Sequence, residues 1–338
     1  MTPVTSSPGS PLLWLAGGAL AAAAGIAAVV AAVVAAGRRW GSAPDPCDGQ
    51  LDLVFEGGDR FSVEVADGAV LDGVAIGEGP LVVLSHCWTG NRAVWSPVAS
   101  RLVERGRRVV LYDQCGHGAS TLGAGRLTVS RLGADLRAVL EAVDARSAVV
   151  VGHSMGGMAV QVLAIDHPEV VAERVSALVL VNTAAAGIGG ASVSAALRRL
   201  VANPRAERLL VGPAGPALVR ASVGRSPRLA HLVAIRDDFV ATAPEVRLGY
   251  LAAMQDMDLR AGLGSIGAPT TVVVGRRDAL TPHRLGRAIA KAVPGARLVE
   301  VPNGGHMLPY EEPDLVADLI AEAGTAPEAA HAQKGRGS

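Results

Sequence analysis

Lysine is almost absent from this 338-residue chain, which has only Lys291 and Lys334, so its positive charge is nearly all arginine. Charge of either sign is scarce: Asp, Glu, Lys and Arg make up 18%, against roughly a quarter in an average soluble domain. The 31 acidic and 31 basic residues cancel, which argues against a nucleic-acid surface or a polyanionic partner. Cysteine appears three times, at Cys47, Cys87 and Cys115. That is too few for a disulfide scaffold, and none sits in a C-x-x-C zinc spacing. No internal repeat is visible, which excludes solenoids and propellers.

What the chain does have begins at its N-terminus. After a tail over residues 1–11, Leu12 to Ala36 runs 25 residues without a charge, long enough at 1.5 Å per residue to cross a hydrocarbon core of about 30 Å. The run reads as a transmembrane helix or a signal segment. Small residues at Val34-Ala35-Ala36 or Gly41-Ser42-Ala43 suit a signal peptidase, in which case the protein is secreted after cleavage. Against cleavage, "MTPVTSSPGS" carries no Lys or Arg and the apolar run is longer than a signal core. A soluble helix is the poorest reading, because the run has no polar stripe to face water. Arg38 and Arg39 follow the span and no base precedes it, so the positive-inside rule puts the catalytic part on the cytoplasmic side of a membrane.

Residues 37–50, with "GSAPDPCDGQ", read as a linker, and folded structure is expected from Leu51. Short β-type runs at Phe61–Val65 and Val70–Ile76 flank "ADG", a hairpin turn. Apolar runs follow at Leu81–Ser85, Arg108–Tyr112, Ala148–Gly152, Ala177–Val181, Thr270–Val274 and Arg297–Val301. They are nearly continuous in Val, Leu and Ala, as strands buried on both faces are, and mostly alternate with helix-length segments. The pattern predicts an α/β protein with a mostly parallel, doubly wound sheet. From 184 to 256 the rhythm lapses into helical sequence, an insertion expected to cap the C-terminal edge of the sheet. Residues 324–338 form a small, polar tail expected to be disordered.

The chemistry gathers at strand ends. "AVVVGHSMGG" places Ser154 in a G-x-S-x-G pattern between an apolar strand and an apolar helix, where small neighbours permit a sharp turn and the helix start favours negative charge. A serine nucleophile needs a base and an orienting carboxylate. "TTVVVGRRDALTP" offers Asp278, with Asp256 or Asp258 in reserve, and "LVEVPNGGHMLPYEEPD" offers His306. His153, His167, His231 and His283 compete less well for the role of base.

From about Leu51 to Ala323 the chain resembles the α/β-hydrolase superfamily. "GHSMGG" is similar to the nucleophile elbow of monoacylglycerol lipases, bacterial esterases and haloperoxidase-like hydrolases. The resemblance implies an α/β-hydrolase core over 51–183 and 257–323 with a helical cap over 184–256. It implies that Ser154 attacks an acyl carbonyl, that the backbone N–H groups of Trp88 and Met155 form the oxyanion hole, and that water guided by His306 releases the acid. No cofactor and no metal are implied, and the partner is a small-molecule ester, lipophilic if the anchor reading holds. Rivals are other reactions on the same triad (amide or carbon–carbon hydrolysis, perhydrolysis) and a non-catalytic ligand-binding protein.

Two loops depart from the family pattern. In "SHCWTG" Cys87 replaces a glycine, and in "YDQCGHG" Cys115 replaces an arginine. The first departure calls the oxyanion geometry into question, because glycine permits backbone angles that cysteine resists. His86, Cys87, Cys115 and His117 are a conceivable zinc set, though at no typical spacing. In the fold resembled, the strands before Cys87 and Cys115 are neighbours, so the two thiols are expected close together and within reach of a disulfide.

Overall fold

The eight strands form one sheet in the order β1-β2-β4-β3-β5-β6-β7-β8. They are β1 (Asp59–Glu64), β2 (Val70–Ile76), β3 (Leu81–Ser85), β4 (Arg108–Tyr112), β5 (Ala148–His153), β6 (Val175–Val181), β7 (Thr270–Gly275) and β8 (Arg297–Val301). The structure, a computed structural model, describes residues 44–47, 49–52, 57–187, 201–212 and 215–324, with positions 35, 40 and 198. β1 and β2 pair antiparallel through a turn in which Val65 N–H donates to Ala69 C=O at 2.9 Å, with Gly68 at φ 81°. β2 also runs antiparallel to β4, and every later pairing is parallel. Two strand starts differ from expectation: β1 starts at Asp59, and β6 starts at Val175 because the preceding helix runs straight into it.

Alternate residues of each central strand enter different cores, as a period of two requires. Val82, Leu84, Val149 and Val151 pack under helices α1 (Ser96–Glu104) and α11 (Pro313–Ala323) with Trp95, Leu102, Val316 and Ile320. Val83, Val110 and Val150 pack on the opposite face against α2 (Val129–Ala142), α3 (Met155–Asp166) and α9 (His283–Ala292), through Leu136, Leu140, Val160 and Ile289. Helix α4 (Pro168–Arg174) follows α3. Between β6 and β7 lie α5 (Pro204–Val211), α6 (Gly215–Leu218), α7 (Leu229–Ala241) and α8 (Pro244–Asp256). The described residues there form no strand beyond an isolated bridge between Ala186 and Asp258. A short α10 (Leu308–Glu311) links β8 to α11.

Two sequence expectations change, and a third lies outside the described residues. Part of the supposed linker is docked: the buried Cys47 thiol donates to Tyr310 C=O at 3.2 Å, Asp45 Oδ1 meets His231 Nε2 at 2.8 Å, and Arg101 Nη2 donates to Pro46 C=O at 2.7 Å. Polar partners on α1 and α7 take up this segment, so the folded unit starts at Pro44 and not at Leu51. The expected span over 12–36 lies outside the described residues apart from position 35, and among the described residues no helix is long and apolar enough to cross a membrane.

The other change concerns the cysteines. All three thiols are free. β3 and β4 are neighbours as expected, but Leu84 pairs with Leu111, a register that carries Cys87 opposite Gln114 and leaves Cys115 one residue further on. Cys115 joins the core beneath the sheet with its thiol toward Thr121 C=O, whereas Cys87 lines a cavity above it. Alkylation under denaturing conditions without reductant, followed by peptide mass mapping, is therefore expected to find Cys47, Cys87 and Cys115 each singly alkylated. A linked Cys87–Cys115 peptide contradicts this register.

Candidate active site

Ser154 stands between β5 and α3 at φ 55°, ψ −115°, a region that L-residues occupy only when their surroundings impose it. The surroundings are two neighbouring backbones. Ser154 N–H donates to Val181 C=O at 3.0 Å, and Thr183 Oγ1 donates to Ser154 C=O at 2.7 Å. The flanking glycines are needed for close approach: a Cβ on Gly156 would lie 2.2 Å from Ser85 O, and one on Gly152 would lie 2.3 Å from Gly156 O. Met155 opens α3, where first-turn N–H groups have no helical acceptor.

Asp278 and His306 come from loops after β7 and β8 and meet: His306 Nδ1 lies 2.8 Å from Asp278 Oδ2, both side chains being buried. Leu280 N–H and Thr281 N–H each donate to Asp278 Oδ1 at 2.8 Å, and the Thr281 hydroxyl reaches Oδ2 at 2.6 Å. Burial alone would raise this carboxyl's pKa. The His306 imidazole and the Thr281 hydrogen bonds outweigh it and hold Asp278 below its ordinary value. The reserve carboxylates lie elsewhere, Asp256 at the end of α8 and Asp258 paired in solvent with Arg260.

Four supporting side chains escaped the sequence reading. Asn182 donates through Nδ2 to Gly305 C=O (2.7 Å) and His306 C=O (2.8 Å) and accepts Gly275 N–H at 2.7 Å, joining the ends of three strands. Thr281 Oγ1 also lies 2.9 Å from Asn182 C=O and 3.2 Å from His306 Nδ1. Glu311 accepts N–H groups from Gly305, Met307 and Gly224, tying the His306 loop to the insertion. Ser222 C=O, also in the insertion, accepts from His306 N–H and Met307 N–H, each at 3.1 Å. His153 Nε2 lies 2.8 Å from His306 C=O. Only Thr281 had a readable signal, three residues after Asp278 in "DALTP", a spacing at which side chain and backbone close a local turn.

The loop after β3 resolves the doubt over Cys87. Its φ is not positive; the left-handed residue is Thr89, at φ 59°. Thr89 N–H donates to His117 Nε2 at 3.3 Å, and its C=O accepts from Thr242 Oγ1 at 3.2 Å. Reciprocally, Gln114 N–H donates to His86 Nε2 at 2.9 Å. The Nδ1 atoms of His86 and His117 face the carbonyls of Cys87 (2.8 Å) and Cys115 (3.1 Å). Each imidazole thus spends both nitrogens on backbone, and the supposed quartet with Cys87 and Cys115 does not assemble. Burial pushes His86 down to about 4. His117 falls to about 3 through burial and its neighbour His86. Burial and the nearby Asp238 charge push the Cys87 thiol up to about 12, leaving it protonated and a poor nucleophile.

Ser154, His306, Trp88 and Cys87 share one cavity of about 780 Å³, whose far wall is built by α5, α7 and α8. A profile described as alpha/beta hydrolase fold matches residues 80–313. The chain belongs to the α/β-hydrolase family. Among relatives of this hydrolase, the pimeloyl-[acyl-carrier protein] methyl ester esterase of Chromobacterium violaceum is 33% identical over 237 residues, which is 68% of this chain and 89% of that one. A hydrolase from Pseudomonas aeruginosa superposes with a TM-score of 0.67 at 32% identity, covering 80% of this chain and all of that one. The enol-lactonase of Burkholderia xenovorans gives 0.68 at 28%, covering 79% and 100%.

The buried imidazoles set a pH dependence. Below about 6.5 an unfolded histidine takes up a proton that folded His117 refuses until about 3. Within that window unfolding takes up protons, so His117 lowers stability progressively as the medium acidifies. Replacing it by His117→Gln is expected to shrink the loss of unfolding free energy between pH 7 and pH 5 by on the order of 1 kcal/mol or more, read from urea titrations. Parallel pH curves for variant and wild type would count against a neutral, buried imidazole.

Proposed function

We propose that this α/β hydrolase cleaves carboxylic esters with Ser154 as nucleophile, His306 as general base and acid, and Asp278 as the group that orients it. The observation that carries the reading is the 2.8 Å contact between His306 Nδ1 and Asp278 Oδ2 beside a serine fixed on a strained turn in the same cavity. With Nδ1 committed to Asp278, Nε2 is left to take the proton from Ser154 Oγ as the hydroxyl attacks the ester carbonyl. The backbone N–H groups of Trp88 and Met155 receive the oxyanion, one from the loop after β3 and the other from the start of α3. His306 then protonates the leaving alcohol, and a water activated by the same nitrogen releases the acid. The low pKa of Asp278 keeps it ionised opposite the imidazolium that forms.

Leucine, valine and methionine dominate the cavity wall, which favours an ester with a sizeable hydrocarbon part. A relative named for methyl ester hydrolysis supports the ester. The reading includes membrane attachment through the uncharged run Leu12–Ala36, with the catalytic part on the side of Arg38 and Arg39.

Ser154→Ala is expected to lower turnover of p-nitrophenyl esters by several orders of magnitude and to abolish labelling by a fluorophosphonate, with an unchanged circular dichroism spectrum. His306→Ala should be comparably damaging, and Asp278→Asn somewhat less so. A Ser154→Ala protein that keeps a tenth of the wild-type rate would sink the mechanism. For attachment, the full chain is expected to sediment with membranes and a chain beginning at Ser42 to remain in the supernatant. A mature N-terminus found by mass spectrometry near Gly37 or Ala43 would replace the anchor with a cleaved signal.

A further inference from the structure

Arg247 is wholly buried on α8, yet it lines the cavity that holds Ser154 and His306. Its guanidinium lies 4.6 Å above the Phe239 ring, and Nη2 donates to Glu207 Oε2 at 2.7 Å. Nε and Nη1 have no hydrogen-bond partner among the described residues. Arginine keeps its charge and all five N–H donors at any ordinary pH. Buried donors without acceptors are costly, and folded proteins retain them where something further completes the set.

The place of this guanidinium relative to the reaction is fixed by its own backbone. Arg247 C=O accepts from Trp88 Nε1 at 3.1 Å, and the Trp88 ring meets Phe239 edge-on at 5.9 Å. Trp88, Phe239 and Arg247 thus form one wall running from the loop assigned to the oxyanion. Much of the remaining lining is hydrocarbon, including Val94, Leu210, Ile235, Leu251 and Met254. A hydrocarbon chain lying along this wall meets apolar surface beside a buried guanidinium that has two unused N–H donors.

We infer that Arg247 selects esters carrying a second, uncharged carbonyl oxygen several bonds from the ester that is cleaved. This rests on the proposed ester hydrolysis and names its substrate class. Two observations favour a neutral carbonyl over a carboxylate. Glu207 already balances the guanidinium charge, and Asp238, which also lines the cavity, adds negative charge while accepting from Asn91 Nδ2 at 2.7 Å. Nε and Nη1 each remain to meet a single oxygen.

The test compares wild-type kcat/KM for p-nitrophenyl esters of equal chain length. One is a plain alkyl ester, a set carries a ketone at successive positions from the fifth carbon outward, and one ends in a carboxylate. A parallel series places the ketone in the alcohol part of an acetate, followed by pH-stat. The best ketone is expected to exceed the alkyl ester about tenfold, as one added hydrogen bond to a charged donor provides, with the carboxylate poorest. Arg247→Met, if it folds by circular dichroism, should bring the ketone-to-alkyl ratio to about one, and Glu207→Gln should raise the carboxylate ester relative to the alkyl one. The wild-type ratios decide the matter even if Arg247→Met does not fold. The proposal is overturned if no ketone position in either series beats the alkyl ester, or if folded Arg247→Met keeps the preference. Hydrolysis of the alkyl ester that vanishes in Ser154→Ala upholds the ester mechanism in either case; if wild type cleaves none of the esters, that reading fails first, and the selectivity inferred for Arg247 falls with it.

Discussion

Ser154 is held in a backbone conformation that costs an L-residue roughly 1–3 kcal/mol, and much of the surrounding architecture maintains it. Val181 C=O at the end of β6 and the Thr183 hydroxyl grip the turn from one side. Gly156 lets α3 come down on Ser85 at the end of β3 from the other. The strand order brings β3 and β6 to flank β5, so the turn is over-determined by the sheet's topology and not by its own sequence. Loosening either neighbour would let the serine relax to ordinary dihedral angles and swing away from the cavity.

The same economy governs the His306 loop. A histidine loop rich in glycine, "NGGH", has little conformational preference of its own. Its shape comes from Asn182, Glu311 and the carbonyl of Ser222, which between them engage the backbone groups of Gly305, His306 and Met307. Part of that grip belongs to the insertion, through Ser222 and Gly224. The insertion that lines the cavity and the loop that carries His306 are therefore one hydrogen-bonded assembly.

Much of this was legible in the residues. The apolar runs gave strands to within a residue or two, because strands buried on both faces leave no ambiguity of period. The side chains that Ser154, Asp278 and His306 place together were readable because each follows a strand at a distinctive turn. That the cysteines are free was not legible, because spacing tells which strands are neighbours but not which way side chains beyond the strand ends turn. Asn182, Glu311 and Arg247 were invisible for a related reason. Asn182 has its side-chain partners 93 or more residues away, Glu311 reaches one 87 residues away and Arg247 one 40 residues away, and nothing local marks a polar residue as one that will be buried. The docking of Pro44–Cys47 was hidden by proline-rich composition that elsewhere signals an unattached linker.

The imidazoles around His306 bear on how a proton behaves once it arrives. His153, whose ring is tilted against His306 at 4.9 Å, is driven down to about 3 by burial and by His306 itself, and His86 and His117 are similarly averse to charge. Four imidazoles in one neighbourhood would ordinarily form a relay along which a proton could wander. Here three of them are closed to it, and the fourth faces a carboxylate that holds its own negative charge. The three closed rings act as insulation: on the proposed mechanism, a proton taken from Ser154 has no path away from the site through His86, His117 or His153.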